Sequence, residues 1–243
     1  MLEVEHHPDL TPAPPEVDYP GDAFRRALAA VPRARIALAF ALASVATPAA
    51  LAGALMMLRS RMPGALHMTL LIAGLAGLVV AAWQLRGAAL PHPEWRRGTL
   101  HTLVLAALSL YFVPFYDWWI RFPSSLYLAV NMLAMSVTVF LLLNRLNKTV
   151  SMLGEALEDE TLRLEGLAGL WISVLTGSIF ILWTLVALSM YYAQYGADIF
   201  PFFLLRDWGV AMLLPFALTS AVLLKAARRS WQRFGKPFEA PTP

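Results

Sequence analysis

The chain contains no cysteine, which removes several kinds of chemistry at once. Disulfide bonds, thiolate nucleophiles and cysteine-ligated iron–sulfur or zinc sites are all excluded. Charge is also scarce, because only 14% of the 243 residues are Asp, Glu, Lys or Arg, against about 25% in soluble domains. A chain that is 58% hydrophobic and so weakly charged has little material for a water-exposed surface.

Catalytic and phosphate-binding motifs are missing as well. The sequence holds no Gly-x-Ser-x-Gly elbow, no His-Glu-x-x-His helix, no box of several histidines and no glycine-rich phosphate loop. A metal site needs clustered ligands, and the sequence shows no such cluster. We therefore expect no catalytic residue, no metal site and no cofactor.

In place of charge, the chain has six long apolar stretches free of Asp, Glu, Lys and Arg. About 20 such residues in a helix span a hydrocarbon layer of about 30 Å, and a lone charge inside it costs several kcal/mol. The stretches predict an all-α polytopic membrane protein in which six transmembrane helices form one bundle. In the first span, Pro48 removes one backbone donor, so a kink is expected there. The spans are expected at about 36–58, 66–85, 100–120, 126–145, 167–195 and 204–225.

The rest of the chain divides into short segments at the two ends. Residues 1–21 are acidic and proline-rich, without Lys or Arg, and are expected to be disordered. Residues 22–35 place apolar side chains at helical spacing beside arginines, which fits either an interfacial helix or an ordinary polar lead-in to the first span. After the bundle of residues 36–225, residues 226–243 form a basic cytoplasmic tail that suits an anionic membrane surface.

Basic residues alternate between the loops in a way that predicts the orientation of the spans. If the N-terminus is cytoplasmic, the inside segments hold 15 of the 19 Lys and Arg residues. Short cytoplasmic loops retain Lys and Arg, so both termini are expected in the cytoplasm. Aromatic residues cluster near 111–122 and 191–208, at the predicted outer face, where rings favour the headgroup level. Because 16 of the basic residues are Arg, and Ala and Leu abound, we expect the inner membrane of a bacterium.

The fourth predicted span carries the most regular polar pattern in the chain. Four polar residues recur at seven-residue intervals and so return to nearly the same face of a helix. Lipid cannot satisfy such groups, so this stripe is expected to face the bundle interior, where it either joins helices by hydrogen bonds or lines a water-filled path. The stripe consists of Ser124, Asn131, Thr138 and Arg145.

Two aspartates lie at the predicted outer edges of spans three and six, each close to an arginine in sequence. Asp117 and Arg121 are four residues apart, a spacing that brings their side chains together on a helix. Arg206 and Asp207 are adjacent and point in different directions. These four outer-rim charges are interpreted either as interfacial anchors with local ion pairs or as a charged vestibule in which one aspartate carries a proton or a cation.

The segment Asp117-Trp118-Trp119 is similar to the tryptophan-rich outer loop of haem-handling membrane proteins, which carries an aspartate between spans three and four. In this chain the aspartate precedes both tryptophans, and His67 is the one histidine predicted on the outer side. Since the flanking pair of outer-loop histidines is not present, the sequence predicts no haem.

The one sizeable cytoplasmic loop, residues 148–166, is expected to be helical. Leu153, Leu157 and Leu164 recur on one side, while acidic residues cover much of the rest. Anionic headgroups repel an acidic helix, so its apolar side needs protein to cover it. The cover is either the chain's own bundle or a cytoplasmic partner such as an ATPase.

Two functions from different classes fit these observations. The first is a non-catalytic membrane subunit that anchors or assembles a larger complex, surrounded by membrane lipids and with a protein partner at residues 148–166. The second is a permease-type component for a lipid, small molecule or ion, which rests on fold analogy alone. An intramembrane enzyme is a third, minor alternative. Topology explains the net charge of +3, so no nucleic acid is expected as a partner, and nothing in the sequence predicts the oligomeric state.

Overall fold

Helices make up nearly all of the chain that the computed structural model describes, and no strand occurs in that part. The predicted all-α class is therefore confirmed. The described residues are 33–59, 65–88, 93–122, 125–194 and 200–235. The helices are α1 (Arg33–Arg59), α2 (Ala65–Gly87), α3 (Pro93–Tyr111), α4 (Val113–Arg121), α5 (Leu126–Ala156), α6 (Glu160–Gln194) and α7 (Phe200–Gly235).

The segments expected at the two chain ends lie largely outside these ranges. Residues 1–21 are not among the described residues, and of residues 22–35 only the last three are, as the beginning of α1. At the other end, α7 continues to Gly235. The first part of the predicted tail 226–243 therefore prolongs the last helix.

Five helical segments of the described chain are long and apolar enough to cross a membrane. They coincide with the first five predicted spans. The sixth predicted span, 204–225, lies within α7, where side chains are described for residues 213–232. The five segments are Arg35–Leu58, Ala65–Gly87, Glu94–Arg121, Leu126–Ala156 and Glu160–Val186.

A turn at one residue interrupts the third of these segments, although Glu94–Arg121 as a whole is long and apolar enough for one span. Phe112 forms a turn between α3 and α4, and Pro114 lies in the first turn of α4. A proline at that position removes no backbone hydrogen bond, because the first N–H groups of a helix have no partner within it. Inside a continuous helix, Pro114 would leave the carbonyl of Leu110 without its donor.

The first and last helices meet, and the pairs α1–α2 and α5–α6 run antiparallel. α1 packs against α2 and α7, α2 against α3, and α3 against α5, while α6 contacts α5 and α7. α5 also contacts α7. The basic end of the bundle is where α1, α3 and α6 begin and α2, α5 and α7 end. At the opposite, aromatic end, a chain of ring contacts joins Tyr111, Phe112, Phe115, Trp118 and Tyr127.

α1 and α2 approach each other so closely that their contact requires glycine. A Cβ added to Gly74 would overlap the backbone of Ala50, and one added to Gly53 would lie 2.5 Å from the backbone nitrogen of Leu71. Within lipid, the association of helices depends on such van der Waals contact rather than on hydrophobic burial. The two glycines therefore place α1 and α2 at backbone contact distance.

Pro48 in α1 leaves a backbone acceptor that α7 satisfies. In a regular helix, the N–H of residue 48 would bond to the carbonyl of Ser44, and proline has no N–H. The hydroxyl of Ser220 on α7 donates to that carbonyl at 2.6 Å. Helix-breaking residues are tolerated in membrane helices when a neighbouring Ser or Thr supplies the missing partner. This bond therefore joins the first helix to the last at the point where α1 is weakest.

A tight hairpin of α5 and α6 replaces the single cytoplasmic helix predicted between the fourth and fifth spans. The N–H of Asp159 bonds to the carbonyl of Gly154 at 2.8 Å, and the N–H of Glu158 bonds to that of Glu155 at 3.1 Å. This is the Schellman pattern, and Glu158 has a φ of 52°, where glycine is usual. The side chain of Asp159 then accepts the N–H of Leu162 at 3.1 Å and caps α6. Leucine periodicity continues through the turn, so it did not reveal the break.

Replacing Gly74 by alanine should lower the free energy of unfolding by about 1–3 kcal/mol, because the new Cβ forces α1 and α2 apart. Gly98→Ala is the matched control. No heavy atom lies within 4 Å of a Cβ at that position, so this change should be neutral or stabilising by up to about 1 kcal/mol. SDS-induced unfolding from dodecyl maltoside, followed by tryptophan fluorescence, measures both. Equal effects of the two changes would contradict the close approach.

The bond between Ser220 and the Ser44 carbonyl can be tested by a double-mutant cycle with Pro48. Ser220→Ala should destabilise the protein by about 0.5–1.5 kcal/mol, because it leaves that carbonyl unsatisfied. In a Pro48→Ala background, the backbone N–H of residue 48 becomes available, and the cost of Ser220→Ala should fall below about 0.5 kcal/mol. The same unfolding measurement applies. Additive effects of the two changes would show that Ser220 does not replace the proline's missing donor.

Candidate functional site

The predicted polar stripe lies on α5, but two of its members use their polar atoms within that helix. Nδ2 of Asn131 donates to the carbonyl of Tyr127, and Oγ1 of Thr138 donates to that of Ala134, both at 2.8 Å. Thr138 is buried, whereas Asn131 is only partly covered. Ser124 lies outside the described residues. The stripe thus does not bring Asn131 and Thr138 together with a polar side chain of another helix.

A polar side chain of α5 that does join helices is Asn147, which the sequence pattern did not single out. It is fully buried on α5, and its Nδ2 donates to Oγ1 of Thr219 on α7 at 2.8 Å and to the carbonyl of Leu143 at 3.1 Å. Ser173 Oγ on α6 lies 3.5 Å from the same nitrogen. Gly169 leaves room for the amide, because a Cβ there would lie 2.6 Å from Oδ1. Asn147 therefore links α5, α6 and α7.

Sequence reasoning missed Asn147 because it lies just beyond the predicted end of the fourth span at residue 145. An asparagine beyond the end of a predicted span is expected to be an ordinary loop residue. α5 in fact continues to Ala156, which places Asn147 inside a packed helix. The sequence around the start of the fifth span did contain an indication. Gly166, Gly169 and Ser173 give one face of that helix only small residues. A helix face without side-chain bulk admits a polar group from its neighbour.

Of the two predicted outer-rim pairs, the structure describes the side chains of only one. Nε of Arg121 lies 3.0 Å from Oδ2 of Asp117, and its Nη2 lies 3.3 Å from Oδ1, so the pairing predicted from their spacing is confirmed. The Asp117 side chain is 14% exposed and that of Arg121 is 52% exposed, so the carboxylate is the more covered partner. The side chains of Arg206 and Asp207, on α7, lie outside the described part of the structure. A joint vestibule of Asp117 and Asp207 stays a prediction.

Two ion pairs at the basic end fasten the α5–α6 hairpin to α7. Nζ of Lys225 lies 2.5 Å from Oε1 of Glu165, and Nε of Arg229 lies 3.5 Å from Oδ2 of Asp159. Asp159 is buried and also caps α6. One carboxylate therefore both starts α6 and holds the end of α7.

The three leucines proposed for partner docking do not share one free face. Leu153 and Leu157 are buried among the chain's own helices, and Leu164 is 53% exposed. The bundle thus covers most of the apolar side of this segment, which was the first of the two alternatives drawn from its sequence. The exposed residues of this segment include Leu164 and the acidic residues Glu155 and Glu158 near the turn.

A cleft of about 160 Å³ opens at the basic end between α3 and α5. Three cations line it, namely Arg97 from α3 and Arg145 and Lys148 from α5. In the described part of the chain, no carboxylate oxygen lies within 4.0 Å of the side-chain nitrogens of these three residues. Glu94 and His101 are also part of the lining. The last member of the predicted polar stripe, Arg145, thus lies in a basic cleft.

Sequence reasoning identified Arg145 but not the cleft to which it belongs. Arg97 and Arg145 are far apart in the chain and were counted separately as loop charges that orient the spans. Their meeting depends on the contact between α3 and α5, which no local pattern predicts. A partial signal was the lack of any Asp or Glu from residue 126 to residue 154, which leaves the cations of α5 without a partner on their own helix.

The arrangement offers two kinds of chemistry. Hydrogen bonds between buried hydroxyl, amide and backbone groups hold the bundle together, and unpaired positive charge is concentrated at the basic end. Among the residues that the structure describes, no three His, Asp or Glu side chains are grouped closely enough to hold a metal ion.

Two asparagines on α5 allow the importance of the link between helices to be measured. Asn147→Ala should lower the free energy of unfolding by about 1–3 kcal/mol, because it removes the bond to Thr219 and leaves a cavity. Asn131→Ala removes only a bond within α5 and should change the free energy by less than about 0.5 kcal/mol. SDS-induced unfolding measures both variants. A larger loss for Asn131→Ala would contradict the assignment.

No family model, curated protein or solved structure matches this chain. The function therefore has to follow from the residues of the bundle itself.

Proposed function

We propose that the protein is a six-span integral membrane subunit that anchors or assembles a larger membrane complex and does not itself catalyse a reaction. Five described segments have the length and composition of membrane spans, and we assign α7 as the sixth. Its 36 residues would extend about 54 Å as a straight helix, enough to cross a layer of about 30 Å and continue beyond it.

The distribution of cations supports a cytoplasmic position for the basic end and hence for both termini. Among the described side chains, Arg121 is the cation at the aromatic end, and the others lie at the basic end, where α1 begins and α7 ends. Cytoplasmic retention of Lys and Arg favours this orientation. The aromatic contacts then lie at the opposite headgroup level. The basic-end cations are Arg35, Arg86, Arg96, Arg97, Arg145, Lys148, Arg163, Lys225, Arg228 and Arg229.

The observation that carries the proposal is the use of interior polar groups for packing. Asn147 bonds to Thr219, and Ser220 bonds to the carbonyl of Ser44, so these groups join helices. Thr138 and Thr184 bond to carbonyls of their own helices. Groups engaged in this way stabilise a fixed bundle, which is the property that a membrane anchor needs. Its functional surface then lies on the outside.

The exposed end of the α5–α6 hairpin is the surface we assign to a partner. Leu153 and Leu157 are buried and hold the hairpin against the bundle. Leu164 and the acidic side chains of Glu155 and Glu158 are exposed there. An apolar residue beside acidic groups, on the cytoplasmic side, suits a partner surface with an apolar pocket and a basic rim.

A permease-type component for a lipid, small molecule or ion is the alternative. It would require the stripe of Asn131 and Thr138 to face a water-filled path. Both side chains instead bond to the carbonyl four residues earlier in α5, as Ser and Thr commonly do in membrane helices. The subunit is therefore the better supported function.

A photo-reactive amino acid at Leu164 should crosslink to a single protein in intact cells, because this side chain is exposed beside the proposed partner surface. The matched control is Val45, which is 68% exposed on α1 within a predicted span. At that position we expect no protein adduct. Denaturing electrophoresis followed by mass spectrometry identifies the products. If Leu164 gives no adduct, or the same adducts as Val45, the proposed subunit role loses its support.

A further inference from the structure

The cleft between α3 and α5 brings together three cations that have no carboxylate partner in the described part of the chain. Of the other seven described cations at this end, Arg163, Lys225 and Arg229 each have a carboxylate within 4.0 Å. Arg97 and Arg145 have none among the described residues, and neither has Lys148. Three like charges that face one cavity repel each other, so an anion in the cavity would be stabilised.

The helices that form the cleft contain too few acidic groups to neutralise it. α5 has no Asp or Glu before Glu155, which lies seven residues beyond Lys148, or about 10 Å along the helix. On the α3 side, Glu94 is the acidic member of the lining. Three cations against one carboxylate leave a formal charge of +2, before any contribution from His101.

The size and shape of the cleft suit a small anion. Its volume of about 160 Å³ is about ten times the roughly 10–15 Å³ of cavity that holds one water molecule. Arg145 is partly buried. Gly98 contributes no side chain, and a Cβ there would meet no atom within 4 Å. Space is thus present where the positive charge converges.

We propose that this cleft binds a phosphate group, carried either by the headgroup of an anionic lipid or by free phosphate. Two guanidinium forks can bind phosphate oxygens in a bidentate manner, and a lysine adds a point charge. Basic pockets between membrane helices at the cytoplasmic headgroup level are typical sites for anionic lipid headgroups. This inference rests on the membrane position of the basic end but not on the subunit role.

The test compares binding to the full-length chain in mild detergent. Native mass spectrometry measures retention of dioleoylphosphatidylglycerol against dioleoylphosphatidylcholine, and phosphorus-31 NMR measures binding of inorganic phosphate. The variant is Arg97→Gln with Arg145→Gln. The matched control is Arg96→Gln, because Arg96 is exposed, precedes Arg97 on α3 and does not line the cleft. Circular dichroism and the elution volume show whether each variant is folded.

We expect the parent chain and Arg96→Gln to bind phosphatidylglycerol at least about tenfold more tightly than phosphatidylcholine, and the double variant to lose this preference. That result assigns the cleft to a lipid headgroup. Equal binding of the two lipids, with inorganic phosphate binding lost in the double variant alone, assigns it to free phosphate.

Two results would overturn the proposal. In the first, the double variant keeps the binding of both anionic probes. In the second, Arg96→Gln loses as much binding as the double variant, which would indicate a diffuse surface effect. If the double variant does not fold, Lys148→Gln replaces it, since Lys148 is exposed. This single change should weaken anion binding by about tenfold, and unchanged binding would also overturn the proposal.

Discussion

A polar group inside a hydrocarbon layer has to find its partner within the protein, because lipid offers none. The structure meets this constraint differently at different positions. Nine of the described hydroxyl groups bond to the carbonyl four residues earlier, as Thr138 and Thr184 do. Where that local solution is not available, another helix supplies the partner. Pro48 removes the donor for the Ser44 carbonyl, and Ser220 replaces it from α7.

Bonds between helices also depend on how closely the helices approach. Asn147 reaches Thr219 because α5, α6 and α7 meet around it, and Gly169 provides the space for its amide. Along the same hairpin, a Cβ on Gly154 would lie 2.5 Å from the backbone nitrogen of Arg163. The glycines and the hydrogen bonds of Asn147 thus act together on the same helices. The glycines bring the helices together, and the amide fixes their relative position.

Sequence alone predicted the features that depend on one helix at a time. The apolar stretches located the described spans, and the four-residue spacing of Asp117 and Arg121 predicted their ion pair. Features that depend on two or three helices were missed. Asn147 and the cleft around Arg145 require knowledge of which helices are neighbours. Leucine periodicity identified an apolar side but not what covers it, so Leu153 and Leu157 were proposed for docking although the bundle buries them.

The basic end shows two antiparallel helix pairs with opposite charge arrangements. At the start of α6, Asp159 and Glu160 lie where the positive end of the helix dipole favours carboxylates, and Asp159 also pairs with Arg229 of α7. At the start of α3, Glu94 is followed by Arg96 and Arg97, so cations lie near a helix end that already disfavours them.

The helix that faces α3 adds further cations instead of the acidic groups that α6 supplies to α7. A compensating charge for that second pair therefore has to come from outside the two helices. Ion pairs join α6 to α7. Among the described residues, the cleft cations of α3 and α5 have no such partner and form the proposed anion site. This division of charge, more than the apolar spans themselves, distinguishes the basic end of this protein from an ordinary helical anchor.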